Sequence, residues 1–176
     1  MQHGHMDQVG YDTYCRLLDV VVKEMTGEDI QKDEEDIQID VNVSAFIPDN
    51  FIEQNNQKIE IYQNIALCES EENIFDVTDE IIDRYGKMPI EVENLLKVAS
   101  IKILSKKLGI IKVVQKNDKM LFTFDKDKFN IDIEKIIEKY KNKVMFSAGV
   151  LPYFTYKLDN TENILNEVKI FLEDNK

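Results

Sequence analysis

The chain has 176 residues, 43% of them apolar and 32% charged, with a formal net charge of −12. That length holds one substantial core or two small ones closely joined, and no apolar run reaches the ~20 residues of a membrane span. A surface so acidic repels phosphate backbones and anionic lipid. Nucleic acid and anionic membranes are therefore poor default partners, and the balance suits a protein that meets a basic or mixed-charge protein surface as well as one that is merely soluble.

Residues 1–6, MQHGHM, lack the apolar core of a signal peptide and read as an expression-vector remnant. They hold both histidines, His3 and His5, so the native segment is expected to lack the commonest general base and metal ligand. Gly10–Gly27 reads as a helix. Tyr11, Tyr14, Cys15, Leu18, Val21, Val22 and Met25 form its apolar stripe, and Gly27 is the stop. An amphipathic helix with almost nothing before it reads as the start of a fragment of a longer protein, with part of the stripe meant for a neighbour. Glu28–Asp36 is a charged connector.

Ile37–Phe46 alternates, with Ile37, Ile39, Val41, Val43 and Ala45 on one side, which predicts a strand with one buried face. Pro48-Asp49-Asn50 turns the chain. Gln57–Cys68 returns to helix, with Ile61, Ile65 and Cys68 inward. A further helix follows Ser70, its N-cap, with Glu71 and Glu72 at the positive end of the helix dipole. Its buried face is Ile74, Thr78, Ile81, Ile82 and Tyr85, and Gly86 stops it in a left-handed conformation. Pro89 opens the next helix, which ends at Gly109 behind Lys106 and Lys107.

Ile110–Lys116 and Met120–Phe124 flank Asn117-Asp118, a hairpin signal. Ile131–Tyr140 is a short helix with Ile133, Ile136, Ile137 and Tyr140 inward. Val144–Ser147 and Tyr153–Leu158 are strands bent apart at Gly149 and Pro152, with the rings of Tyr153, Phe154 and Tyr156 in the core. The closing helix spans Asn160–Asp174, capped by Asn160 or Thr161, with Ile164, Leu165, Val168, Phe171 and Leu172 inward. The order predicts an α+β fold of helices packed on a small, mostly antiparallel sheet. It is read as one domain over residues 10–176, helix-rich over 10–109 and ββαββα-like over 110–176.

The chemistry is sparse. The six glycines are isolated, and none forms a GxxxxGK[ST] or GxGxxG cradle. No cofactor is expected, and no catalytic residue is assigned. Cys15 and Cys68 belong to no CxxC and read as reduced thiols of a cytoplasmic protein, not as a disulfide or metal site. The acidic run Asp33–Asp36 lacks the spacing of a calcium loop, so no metal is expected there. Lys102, Lys106 and Lys107 form the notable basic patch and complement a helix end. Glu80, Asp83 and Arg84 stand at i, i+3 and i+4, on one side of one helix turn. On spacing alone they read as a solvated ion pair that supports its own helix.

A resemblance carries the reading further. VGYDTYCRLLDVVV at Val9–Val22, IDVNVSAFIPDNFI at Ile39–Ile52, KIEIYQNIALCESEENI at Lys58–Ile74, DEIIDRYGKMPIEVENLL at Asp79–Leu96 and KKLGI at Lys106–Ile110 resemble, in order and spacing, the C-terminal domain of bacterial transcription-repair coupling factors, the Mfd family. The last third matches only in the order of its elements. Members of that family are ATP-driven DNA translocases that remove stalled RNA polymerase and recruit UvrA in transcription-coupled nucleotide excision repair. The resemblance implies that this chain is no enzyme itself, the motor lying upstream. It implies a regulatory clamp that docks on the N-terminal UvrB-like module of the same polypeptide and masks its UvrA-binding surface. It also implies that Glu80, Asp83 and Arg84, the E-x-x-D-R of an E-x-x-D-R-[FY]-G motif completed by Tyr85 and Gly86, contact that module. UvrA is then an indirect partner, and no direct contact with nucleic acid or membrane is expected. The alternative is a DNA-contacting accessory module of the same translocase, which predicts salt-sensitive binding to duplex DNA.

Overall fold

The computed structural model describes residues 37–176. The helix expected over Gly10–Gly27, the connector Glu28–Asp36, Cys15 and residues 1–6 lie outside the described residues. The described chain falls into two compact units, one of Asn42–Ile103 and one of residues 37–41 with Leu104–Lys176. Among the described residues there are five α-helices and five strands, and the fold is α+β as expected.

The first unit is helical. It contains α1 (Asn55–Ala66), α2 (Glu71–Tyr85) and most of α3 (Ile90–Leu108). In α1 the buried side chains are Lys58, Ile61, Tyr62 and Ile65. Cys68, expected on that face, lies two residues past the helix end and is half-buried. The Ser70 hydroxyl accepts from the Asn73 N–H at 3.2 Å, the expected cap of α2. Ile74, Val77 and Ile81 form its buried face. Ile82, expected there, is 46% exposed. Val77 takes the inner position instead, and each helical step of ~100° swings Ile82 outward once Ile81 points in.

Gly86 ends α2 with φ 85° and ψ −150°. This is not the left-handed helical form expected but the extended positive-φ region that glycine almost alone occupies. Pro89 sits just before α3, where its carbonyl accepts from the N–H groups of Val92 and Glu93, each at 3.1 Å. Val92, Leu95, Leu96, Val98, Ala99 and Ile101 are all buried, so α3 is apolar on more than one face.

The strand expected over Ile37–Phe46 is shorter. Only β1 (Gln38–Asp40) forms, although exposure keeps alternating as far as Ser44. Other partners claim the backbone beyond it. The Asn94 amide donates to the Ser44 carbonyl at 3.0 Å, the Phe46 N–H donates to the Glu91 carbonyl at 3.3 Å, and the Ile47 N–H donates to the Tyr62 hydroxyl at 2.7 Å. These bonds replace the ladder that a longer strand would have needed.

The second unit is built on a sheet of β1, β2 (Ile110–Lys116), β3 (Lys119–Phe124), β4 (Val144–Ser147) and β5 (Tyr153–Lys157), in the order β1-β2-β3-β5-β4. β1 runs parallel to β2, and every other pairing is antiparallel. Asn117 takes φ 57° between the paired Lys116 and Lys119, so the expected hairpin forms. Phe122 lies opposite Phe154 and Met120 opposite Tyr156, and all four are buried.

α4 (Ile133–Tyr140) is capped by Asp132, whose carboxylate accepts from the Lys135 N–H at 3.1 Å. Ile136 is buried there, while Ile137, expected inward, is 43% exposed. α5 (Ile164–Asp174) buries Ile164, Leu165, Val168, Phe171 and Leu172, as expected. Its Phe171 ring lies 5.0 Å from Phe122 and 4.8 Å from Tyr156. The helix starts later than expected, and its cap residue, Asn163, makes no side-chain bond. Glu167 does the work of fastening the turn instead. It accepts from the N–H groups of Asp159 and Asn160 at 2.8 and 3.2 Å and from the Tyr156 hydroxyl at 2.9 Å. Burial first, and the Glu167 carboxylate second, hold that hydroxyl protonated.

Gly109 joins α3 to β2 with φ 76°, and a Cβ on it would lie 2.3 Å from the Lys128 carbonyl oxygen. A Cβ on Gly86 would meet nothing within 4 Å. Gly109→Ala is therefore expected to cost ~3 kcal/mol or more, from backbone strain and a backbone clash together, and Gly86→Ala about 1–2 kcal/mol from strain alone. Urea titration followed by circular dichroism checks the ranking, and equal costs at the two sites would contradict it.

Candidate functional site

The candidate site is the exposed face of α2 beside α1. The Ser70 cap and the acidic first turn start α2, and burial of Ile74, Val77 and Ile81 fixes its rotation. With that face inward, Glu80, Asp83 and Arg84 rise from one turn of the helix, as their spacing predicts, with half-buried Glu80 and its partner Arg84 at the edge of the buried face beside α1 and Asp83 pointing outward.

Arg84 carries the most contacts. Its Nη1 donates to Glu80 Oε1 at 2.9 Å, within the helix, and to Glu60 Oε1 at 3.2 Å, across to α1. Its guanidinium carbon lies 5.1 Å from the centroid of the Tyr85 ring. The two carboxylates, Glu80 first and Glu60 second, raise the guanidinium further above its already high pKa. The Tyr85 ring is itself held, 5.9 Å from Phe51, and its hydroxyl donates to Gln57 Oε1 at 3.4 Å. Arg84 is thus a shared cation between two helices, resting beside a ring with its own anchors. Asp83 is exposed and makes no hydrogen bond or ion pair among the described residues.

The sequence-predicted residues therefore do not form one cluster. Glu80 and Arg84 are joined, while Asp83 stands apart as an open carboxylate on the same face. Glu60 was not expected. It lies 24 positions before Arg84, and no local spacing rule connects residues so far apart. Its one sequence signal is its place beside the buried Ile61. Ile82 and Phe75 add exposed apolar surface to the same helix, at 46% and 67% exposure.

The remaining candidates carry less. Lys106 and Lys107 are exposed in the last turn of α3, where they complement the helix dipole. No group of three or more metal-ligating side chains occurs among the described residues. No helix among them is long and apolar enough to cross a membrane. The Cys68 thiol donates to the Asn64 carbonyl at 3.2 Å. Burial, and then the charge of Asp76, push its pKa up to about 11.

Residues 41–136 match the family model of the TRCF domain, more than half of the chain. The chain belongs to the TRCF family. Similar proteins include the transcription-repair-coupling factor of Staphylococcus haemolyticus (strain JCSC1435), 37% identical over 116 residues, which are 65% of this chain and 10% of that protein. The transcription-repair-coupling factor of Borreliella burgdorferi is 36% identical over 137 residues, 78% of this chain and 12% of that protein. That of Bacillus subtilis (strain 168) is 32% identical over 138 residues, again 78% of this chain and 12% of that protein. The TRCF chain described here thus spans only about a tenth of the length of these relatives. Its fold matches a crystal structure of the C-terminal domain of a transcription-repair coupling factor, with a TM-score of 0.70 and 24% identity, covering 79% of this chain and 91% of that one. Glu60, Glu80, Asp83 and Arg84 all fall inside the residues matched by the TRCF family model.

A thiol with so high a pKa holds little thiolate near neutrality, and the thiolate is the nucleophile. Alkylation of Cys68 by iodoacetamide at pH 8 is therefore expected to run roughly tenfold or more slower than that of an unperturbed thiol. Asp76→Asn should speed it by removing the nearby negative charge. Peptide mapping by mass spectrometry reads both rates, and alkylation as fast as that of free cysteine would contradict the assignment.

Proposed function

We propose that this TRCF domain is an autoinhibitory clamp. It docks through the outer face of α2 on the N-terminal UvrB-like module of its own polypeptide and masks the UvrA-binding surface there. Glu80, Asp83 and Arg84 are the contact residues. The domain itself catalyses nothing. The ATP-driven translocase motor lies elsewhere in the longer protein, which acts in the cytoplasm in transcription-coupled excision repair.

The observation that carries this reading is the presentation of the triplet. The three side chains rise from one turn of a helix whose inner side is locked into the core, Glu80 and Arg84 at the edge of that buried side and Asp83 exposed with its charge unspent. Charged, exposed groups of this kind give orientation and specificity at modest net affinity. Covalent tethering raises the effective concentration of the partner surface, so a weak contact still holds a closed state. Release then requires only ~2–5 kcal/mol of differential binding elsewhere in the polypeptide.

The test is UvrA capture by the full-length parent protein, wild type against the variant Glu80→Ala, Asp83→Ala, Arg84→Ala. Capture is expected to rise about tenfold or more in the variant. Unchanged capture, together with increased capture after deletion of the whole domain, would move the latch to another face. Unchanged capture after the deletion as well would overturn the masking role.

A further inference from the structure

We infer that Glu60 of α1 is a positioning residue of the docking face, acting through Arg84, so that the face spans two helices. The inference rests on the docking role proposed above.

Arg84 Nη1 is engaged from two sides, by Glu80 one turn back on its own helix and by Glu60 from the neighbouring helix. An arginine on an exposed helix, tied only to a carboxylate four residues away, keeps much of its rotamer freedom. A second carboxylate on a different rigid element removes that freedom and fixes the direction of the fork. The Tyr85 ring, itself held by Phe51 and Gln57, bounds the guanidinium on a further side. Three fixed neighbours leave the rest of the planar fork, Nε and Nη2, as the unshared donors. A planar donor set held in one orientation loses less freedom on docking than a mobile one. Asp83, on the same helix turn, makes no ion pair among the described residues. The matching surface of the UvrB-like module is therefore expected to be basic where it meets Asp83.

Glu60→Gln keeps the shape and removes the charge that holds Arg84. UvrA capture by the full-length protein is measured for wild type, Glu60→Gln, Arg84→Ala, the double variant, and the triple variant described above. Glu60→Gln is expected to raise capture about two- to fivefold, and to add nothing once Arg84 is Ala, because it acts through that side chain. A purely structural role for Glu60 would give the same factor in both backgrounds, and that result overturns the inference. Capture unchanged by Glu60→Gln but raised in the triple variant also overturns it, while leaving the clamp intact. Capture unchanged in every variant overturns the docking role of the triplet itself. Both side chains of the pair are exposed, so all the variants should fold, and equal thermal midpoints confirm that the readout is docking.

Discussion

The close approach of Gly109 to the backbone of Lys128 is the constraint on which the layout of the second unit depends. A helix runs straight into a strand at this point, with only one residue to redirect the chain. Positive φ and the missing side chain together let the segment 125–130 lie directly over the junction. Two hydrogen bonds close it, from the Asp125 N–H to the Gly109 carbonyl at 2.9 Å and from the Asn130 N–H to the Leu108 carbonyl at 3.2 Å. They satisfy carbonyls that a helix end leaves open. They also place the start of β2 opposite the end of β3, where Ile110 pairs with Phe124. Phe124 in turn stacks on Phe129 at 3.8 Å, so the covering loop supplies part of the core it protects.

The first unit depends on a different device. α2 has a well-defined inner face and an acidic outer one, and α1 reaches across to it through two polar contacts, Glu60 to Arg84 and Gln57 to Tyr85. Neither contact is buried enough to dominate stability, since exposed ion pairs contribute little to folding. Their effect is on shape. They fix where charge stands on a surface whose interior is held by Ile61, Ile65, Ile74, Val77 and Ile81.

What was legible in the sequence was local. Ser70, Gly109 and Asn117-Asp118 announced their elements because caps, helix stops and hairpin turns are governed by a few adjacent dihedrals. The apolar face of α5 was legible because five large residues at helical spacing admit one orientation. Three things were not. Ile82 and Ile137 fitted the apolar stripes, but a helix with more apolar residues than one face can hold must leave some outside, and tertiary packing decides which. β1 stopped early although its alternation continued, because Asn94 and Glu91 offered other partners to the backbone. Glu60 was invisible because its partner lies on another helix. The triplet was legible as a pattern, and its division into a paired Glu80–Arg84 and an open Asp83 became visible only in three dimensions.

That division bears on how the docking face proposed for this domain would separate from a partner. A contact present both before and after two bodies meet contributes nothing to the difference between those states. The bonds from Arg84 to Glu80 and Glu60 exist in the domain by itself, so parting from a partner leaves no orphaned cation behind. In the docking proposed above, water would re-form its shell around Asp83, the unshared Nε and Nη2 of Arg84 and whatever faced them. A joint built this way parts with a low penalty and re-forms in the same orientation, because its geometry is stored within one body and does not have to be rebuilt at each encounter.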